Sequence, residues 1–263
     1  MNEISFSVDS GFQGVQVNTS RIFLWNHMVK IVISDVDGTI TKSDVLGHIL
    51  PRIGKDWSHS GVSELFTNVR KNGYEFLYLT SRAIGMADST RSYLRSLEQE
   101  NDFKLPDGPC IMSPDRLMYS FKREVIDRKP YLFKIAALLN IKNLFNDDQY
   151  PFYAGFGNRD TDAVSYKAVG INPRKIFIIN PYSEVVVLKS MIKKTYPLLN
   201  TLVDEIFPPV CSKILFNSSN LKIAISYSTP TIITIVHFTV TQLTALPPFM
   251  FSLIFTTLSW ILR

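Results

Sequence analysis

Residues 30 to 40 read KIVISDVDGTI, an apolar run that ends in two acids, a glycine and a threonine. Apart from Lys30, residues 29 to 33 are β-branched or aliphatic, which is typical of a strand buried on both faces of a parallel sheet. Gly38 gives the backbone freedom for an abrupt exit from that strand. The stretch predicts an α/β domain with Asp35 and Asp37 at the carboxyl end of a strand, where open α/β sheets bind their ligands.

The spacing of the two carboxylates suits phosphoryl transfer. Side chains alternate along a strand, so Asp35 and Asp37 share one side while Val36 points into the packing. One carboxylate can attack phosphorus and the other can transfer protons. Two neighbouring anions also call for a cation, and all-oxygen ligands favour Mg²⁺. The alternative is an ordinary strand that ends in a polar Asp-Gly turn.

A second strand-like run, residues 74 to 79, stops at Thr80-Ser81-Arg82. The Thr80 hydroxyl can hold a phosphate oxygen, and the guanidinium of Arg82 matches the geometry of a phosphate group. We assign Ser81 and Arg82, with Thr39 and Arg159, to the phosphate of the substrate. The alternative for this turn is the simple start of a helix over residues 84 to 99.

A third run, residues 151 to 157, leads into Asn158 and Asp162 and then a helix-like segment. A strand-to-helix turn brings residues four apart onto one rim, so the Asn158 amide oxygen and the Asp162 carboxylate can share a Mg²⁺ ion. Asp160 lies between these two residues and is the alternative to Asp162, but a solvated acid at a helix start is also explained by its interaction with the helix dipole.

A lysine is still needed to stabilise the phosphoryl charge. Lys129 is the first choice and Lys134 the reserve.

Taken together, these segments resemble the lipin phosphatidate phosphatases, which belong to the haloacid dehalogenase superfamily. The match is specific because it extends over several separate motifs. The lipin-like stretches are ISDVDGTITKSDVLGHILPRIGKDW at residues 33 to 57, LTSRAIGMAD at 79 to 88, REVIDRKPYLFK at 123 to 134, NIKNLF at 140 to 145, and FGNRDTDAVSYKAVGI at 156 to 171.

The resemblance implies a role for each motif residue. Asp35 would be the nucleophile, Asp37 the general acid-base and Thr80 the hydroxyl of the second motif. The third-motif lysine would be Lys129 or Lys134. The magnesium ligands implied are Asp35, the main-chain carbonyl of Asp37, Asn158 and Asp162.

The implied reaction converts phosphatidate to diacylglycerol and phosphate through an aspartyl-phosphate intermediate. Two alternatives remain at this point. One is a phosphatidate-binding or scaffold domain with little catalysis, as in relatives that lack the catalytic carboxylates. The other is a phosphatase of the same superfamily that acts on a small phosphomonoester. Because both carboxylates are present, the sequence favours an enzyme.

The chain divides into three predicted parts. Residues 1 to 28 alternate roughly as strands, which the resemblance identifies as part of an incomplete immunoglobulin-like layer. Residues 29 to 210 suit one haloacid-dehalogenase-like Rossmannoid domain with a mainly parallel sheet. Strand and helix patterns fill the intervals between its motifs, so we expect no large cap. The amino-terminal lipin region should lie outside this chain, and that region or a protein partner would complete the β-layer.

Residues 211 to 263 form a hydrophobic tail. No formal charge lies between residues 231 and 262, and a bilayer crossing needs about 20 apolar residues. Because Pro247-Pro248 interrupts the run, a kinked transmembrane anchor, a re-entrant segment and a non-native tail all remain open. No signal peptide is evident, so we expect a cytoplasmic protein at the cytosolic face of the endoplasmic reticulum or nuclear membrane. Its partner would be a phosphatidate-containing membrane surface; the net charge of +5 does not indicate nucleic-acid binding.

Overall fold

A seven-stranded sheet forms the centre of the protein in the computed structural model, which describes residues 2–10, 14–42, 58–113, 131–146, 149–188, 193–210 and 232–237. The strands are β1 (Asn2–Ser10), β2 (Gly14–Asn26), β3 (Lys30–Ser34), β4 (Tyr74–Ala83), β5 (Glu98–Gln99), β6 (Phe103–Lys104), β7 (Cys110–Ser113), β8 (Phe152–Gly157), β9 (Ile176–Ile179), β10 (Val185–Val187), β11 (Lys193–Lys194) and β12 (Ile232–His237). The helices are α1 (Val62–Lys71), α2 (Ala87–Ser96), α3 (Tyr131–Lys142), α4 (Asp160–Ala168), α5 (Tyr196–Asn200) and α6 (Val203–Ile206).

The central sheet has the order β11-β10-β9-β8-β3-β4-β7. Strands β9, β8, β3, β4 and β7 run parallel, while β10 and β11 add antiparallel pairs at one edge. The prediction of an α/β domain with a largely parallel sheet is therefore confirmed. In the middle of the sheet, β3 lies between β8 and β4, so the residues that follow it emerge at the centre of the carboxyl edge.

The apolar sequence of β3 is explained by burial on both of its faces. Val32 packs on one side with the helix α1 residues Leu65 and Phe66, whereas Ile31 and Ile33 pack on the other side with the α3 and α4 layer. All three β3 side chains are fully buried. The sheet is thus the middle of three layers, which is the arrangement expected for a parallel sheet.

A second sheet has the order β1-β2-β12 and is antiparallel throughout. The two strands predicted before residue 28 are present, as β1 and β2. In addition, residues 232–237 of the predicted tail pair as β12 with residues 21–26 of β2. Trp25 joins this sheet to the α/β domain, because its buried side chain packs in the cluster that contains Ile31 and Ile33. The immunoglobulin-like character of the layer stays a prediction.

The rest of the predicted tail, residues 211–231 and 238–263, lies outside the described residues. Within the described ranges, every helix falls short of the length and apolar character that a membrane crossing requires.

Candidate active site

Asp35 lies immediately beyond β3, at the carboxyl edge of the central sheet. Its main-chain N–H donates a hydrogen bond to the carbonyl of Phe156 on β8 at 2.9 Å, so the chain is still held to its neighbour at this point. Only 5% of the residue is exposed. The Asp35 carboxylate is therefore fixed by a buried backbone rather than by a loose loop.

The turn after Asp37 is held by several elements. Gly38 has φ 77°, in the left-handed region that favours glycine, and its N–H donates to Thr41 Oγ1 at 3.0 Å. Tyr196 of α5 donates its hydroxyl to the carbonyl of Thr39 at 3.0 Å. The Thr39 hydroxyl is itself buried and makes no hydrogen bond within the described residues, so it can accept or donate to a bound group.

His59 contacts the main chain of the same turn through its imidazole ring. Its Nε2 lies 3.4 Å from the carbonyl of Gly38 and its Nδ1 lies 2.8 Å from the hydroxyl of Ser183. The imidazole is fully buried, and burial lowers its pKa to about 4 against the weaker opposing effect of the Gly38 carbonyl. A neutral His59 can donate from Nε2 to Gly38 while Nδ1 accepts from Ser183.

Lys134 joins two of the predicted acids. It lies on the first turns of α3, and its Nζ is 2.8 Å from Asp35 Oδ1 and 2.7 Å from Asp162 Oδ1. The side-chain exposures of Lys134, Asp35 and Asp162 are 8%, 8% and 2%, so the bridge is buried. Lys129, the first choice from the sequence, lies outside the described residues.

Asp162 is oriented by the turn that precedes α4. Its Oδ2 accepts hydrogen bonds from the main-chain N–H groups of Asn158 and Arg159, each at 3.1 Å. The neighbouring Asp160 is exposed, as is Arg159. The geometry thus brings Asp162, and not Asp160, to the buried cluster with Asp35. Gly157 is needed for this approach, since a Cβ there would lie 2.4 Å from Cβ of Asp162.

Asp37 is held from the β4 side. Arg82 Nη2 lies 2.6 Å from Asp37 Oδ1, and Arg82 Nε lies 2.9 Å from Asp37 Oδ2. Thr80 donates its hydroxyl to Asp37 Oδ2 at 3.2 Å. Arg82 is further fixed by Thr90 of α2, which accepts from Nη1 at 3.2 Å. The guanidinium of Arg82, which the sequence assigns to the substrate phosphate, therefore contacts the Asp37 carboxylate. Ser81, assigned to the same phosphate, is exposed.

The extent of β4 explains this position of Arg82. The sequence predicts that the strand ends at Leu79, but β4 continues to Ala83, which pairs with Ser113 after a register shift. A short 3₁₀ turn, Ile84–Met86, then precedes α2. The predicted helix over residues 84 to 99 is therefore shorter and starts later.

Burial controls the charge of the cluster. It raises the pKa of Asp35 to about 7; the charge on Lys134 lowers that pKa, while Asp162 and Asp37 add to the rise. For Lys134, burial alone would lower the pKa, but the two carboxylates outweigh it and hold the pKa above its ordinary value. Lys134 therefore remains a cation that favours the ionised form of its partners.

The donors at this edge fit a magnesium ion in chemical type. Carboxylate oxygens of Asp35 and Asp162, the Asn158 side-chain amide and the Asp37 carbonyl are all hard oxygen ligands. In the parts of the chain that the structure describes, no three His, Cys, Asp or Glu side chains form a metal cluster. Magnesium does not require one, since it usually keeps water and substrate phosphate beside one or two protein carboxylates.

The sequence did not identify His59, Tyr196 or Ser183 as parts of the site. Tyr196 and Thr39 are 157 positions apart, and His59 and Ser183 are 124 positions apart. No spacing pattern marks such contacts. Only the folded arrangement of β9, β10 and α5 around the turn brings them together.

Comparison with known proteins agrees with the motifs. The family model LNS2 (Lipin/Ned1/Smp2) matches residues 1–208. Phosphatidic acid phosphohydrolase 1 of Saccharomyces cerevisiae is 52% identical over 222 residues, covering 80% of this chain and 25% of the relative. Phosphatidate phosphatase PAH1 of Arabidopsis thaliana is 52% identical over 209 residues, covering 79% of this chain and 23% of the relative.

Phosphatidate phosphatase LPIN1 of Homo sapiens is 48% identical over 208 residues, with 79% of this chain and 23% of the relative covered. The matched segment thus spans about a quarter of the length of each of these three relatives. The match includes every described residue of the buried cluster. The chain belongs to the LNS2 (Lipin/Ned1/Smp2) family.

Proposed function

We propose that this domain is a Mg²⁺-dependent phosphatidate phosphatase that releases diacylglycerol and phosphate. The observation that carries the proposal is the buried bridge in which Lys134 contacts both Asp35 and Asp162. The names of the relatives, which are phosphatidate phosphatases, support the choice of substrate. We further propose a haloacid-dehalogenase-like fold and an active site that works at a phosphatidate-containing membrane surface on the cytosolic side.

Asp35 acts as the nucleophile. One carboxylate oxygen forms a bond to phosphorus, and the bond between phosphorus and the diacylglycerol oxygen breaks. The pKa of Lys134 lies above its ordinary value, so Lys134 stays positively charged. This charge favours the ionised form of the Asp35 carboxylate, which the attack needs. Magnesium, held by Asp35, Asn158, Asp162 and the Asp37 carbonyl, would supply positive charge that screens the phosphate from the attacking carboxylate.

Asp37 transfers the protons. It donates a proton to the departing diacylglycerol oxygen, and it then takes a proton from the water that attacks phosphorus and frees Asp35. Such general acid-base help contributes roughly 10² to 10⁴ in rate. Arg82 and Thr80 fix the position of the Asp37 carboxylate. The Thr39 hydroxyl, which makes no hydrogen bond within the described residues, would donate to a phosphate oxygen, whereas the Thr80 hydroxyl is engaged by Asp37.

A phosphate-release assay tests the proposal. Wild-type protein and the variants Asp35→Asn and Asp162→Asn are supplied with phosphatidate in detergent micelles and Mg²⁺. We expect wild-type turnover, background rates for Asp35→Asn, and a loss of at least about 100-fold for Asp162→Asn, because it removes a buried charge that orients Lys134. Equal phosphate release from wild type and Asp35→Asn would refute the enzyme assignment.

The matched control is Asp160→Asn, which removes an exposed carboxylate from the same turn of α4. It should retain wild-type turnover. Comparing long-chain phosphatidate with a short soluble phosphomonoester then tests the substrate class, since a higher kcat/KM for the soluble ester would assign the site to small phosphomonoesters instead.

A further inference from the structure

A cavity of about 350 Å³ lies beside α2, on the side of the protein that carries β2. The loop from Lys104 to Gly108 closes a third side of the cavity. Its volume falls in the range of small-molecule sites, which is about 300 to 1,000 Å³. Asp35, Asp37, Lys134 and Asp162 do not line it, so it is separate from the proposed active site.

The lining combines apolar and basic side chains. Its apolar part includes Phe23, Leu94 and Leu105, while the charged part holds four cations and one carboxylate. The cations are Arg21, Arg91, Arg95 and Lys104, and the carboxylate is Asp107. A ligand that fits this lining has an anionic group and an apolar part.

The inner arginines are more buried than the acids that pair with them. The Arg21 side chain is 11% exposed, whereas its partner Asp107 is 55% exposed. Arg91 is 15% exposed and pairs at 2.5 Å with Asp88, which is 71% exposed. Asp107 contacts both terminal nitrogens of Arg21, so this guanidinium is already engaged by a carboxylate of the lining. Asp88 contacts Arg91 through one nitrogen and is screened by solvent, so Arg91 is held weakly and can bind another anion.

Two exposed cations, Arg95 and Lys104, add to the positive charge of the lining. Arg95 is exposed and forms no ion pair with any described residue, and Lys104 pairs only with the exposed Glu98, at 3.3 Å. Guanidinium groups match phosphate oxygens through paired N–H donors. A phosphate ester therefore pairs with the cations of this lining better than a neutral ligand does.

We propose that this cavity is a second, non-catalytic binding site for a phospholipid, with the phosphate ester at Arg91, Arg95 and Lys104 and the start of an apolar chain against Phe23, Leu94 and Leu105. The site is close to the proposed active site through α2, where Thr90 contacts Arg82 and the next residue, Arg91, lines the cavity. Its ligand class does not depend on turnover, so it can be tested whether or not the phosphatase proposal holds.

The test measures binding of dihexanoyl phosphatidylglycerol below its micelle concentration by isothermal titration calorimetry. This lipid is a phosphodiester and carries no phosphomonoester for Asp35 to attack. We expect saturable binding to wild-type protein and at least a ten-fold weaker affinity for Arg91→Gln/Arg95→Gln. The matched control, Lys167→Gln/Arg174→Gln, removes two exposed cations elsewhere and should bind within two-fold of wild type. If both double variants weakened binding equally, the lipid would be attracted by general surface charge rather than by this cavity, and the proposal would be overturned.

Two further arms identify what the cavity recognises. Leu105→Trp, which fills the apolar part, should also weaken binding at least ten-fold while the thermal melting curve stays cooperative. Inorganic phosphate and glycerol 1-phosphate should bind much more weakly than the lipid; affinities equal to that of the lipid would assign the site to free phosphate groups and refute the lipid class. Asp35→Asn should keep lipid binding while it loses phosphate release, which separates this proposal from the phosphatase proposal.

Discussion

Side chains are used in opposite ways at the carboxyl edge of the central sheet and at the start of β2, where residues 14–17 are all exposed. At the sheet edge, charged groups such as Lys134 and Asp162 are less than 10% exposed and contact one another directly. On the hairpin, apolar Val15 and Val17 are 62% and 58% exposed. Buried charges depend on exact partners, whereas exposed apolar groups lose little when they are changed. The two regions should therefore respond very differently to substitution.

Lys134→Met gives the largest expected effect, because it leaves Asp35 and Asp162 buried without their shared cation. Removing one partner of a buried ion pair destabilises a protein by about 3–5 kcal/mol. Unfolding in urea at pH 8 should show a loss of this order, together with background phosphate release. Lys167→Met removes an exposed lysine from α4 and should change the free energy of unfolding by only about 0.5 kcal/mol. Equal stability of both variants would mean that Lys134 is not buried between the two acids.

The sequence was most informative where a pattern is local. The apolar run of β3 predicted a doubly buried strand and the place of Asp35 and Asp37 at its end, since neighbouring residues set both features. The choice between Lys129 and Lys134 could not be made in this way. Lys134 and Asp35 are 99 positions apart, and their contact depends on how α3 packs on the sheet.

The position of Arg82 shows the same limit. Residues 80 to 82 have the composition of a turn, and the sequence predicts that β4 ends before them. Pairing with β7 instead extends β4 to Ala83, so tertiary hydrogen bonds override the local preference. That extension brings the guanidinium to Asp37, a contact that spacing alone does not indicate.

Arg82→Lys should have the next largest effect, and it acts on catalysis. Lysine cannot reproduce the paired contacts of Nη2 and Nε with Asp37, and hydrogen bonds to charged groups are worth about 1.5–3 kcal/mol. We expect kcat to fall roughly 10- to 100-fold, with a smaller change in KM, in the micelle assay. Arg70→Lys, which alters another arginine-carboxylate pair at the opposite end of β4, should leave kcat unchanged. A rise in KM alone would instead place Arg82 on the substrate.

The buried His59 predicts a pH-dependent stability. Its pKa is lowered from 6.5 to about 4 in the folded protein, so the unfolded chain binds this proton first as the pH falls. Above pH 6.5, His59 is neutral in both the folded and the unfolded state, so it does not make the stability depend on pH. As the pH falls from 6.5 toward 4, the free energy of unfolding decreases by up to about 1.4 kcal/mol per pH unit. His59→Gln should remove that part of the slope. Urea unfolding of both proteins at several pH values measures the difference, and parallel curves would show that His59 is not held neutral.

The smallest effect is expected at the exposed start of β2. Val17→Thr replaces an exposed side chain by another β-branched residue, so the strand preference is kept and little buried area is lost. The free energy of unfolding should change by less than about 0.5 kcal/mol, and phosphate release should stay at the wild-type rate. Trp25→Ala on the same strand should cost about 3–5 kcal/mol, because Trp25 is 6% exposed and packs in the core. If Val17→Thr proved as costly as Trp25→Ala, the start of β2 would be covered in solution, and the contrast between the two regions would disappear.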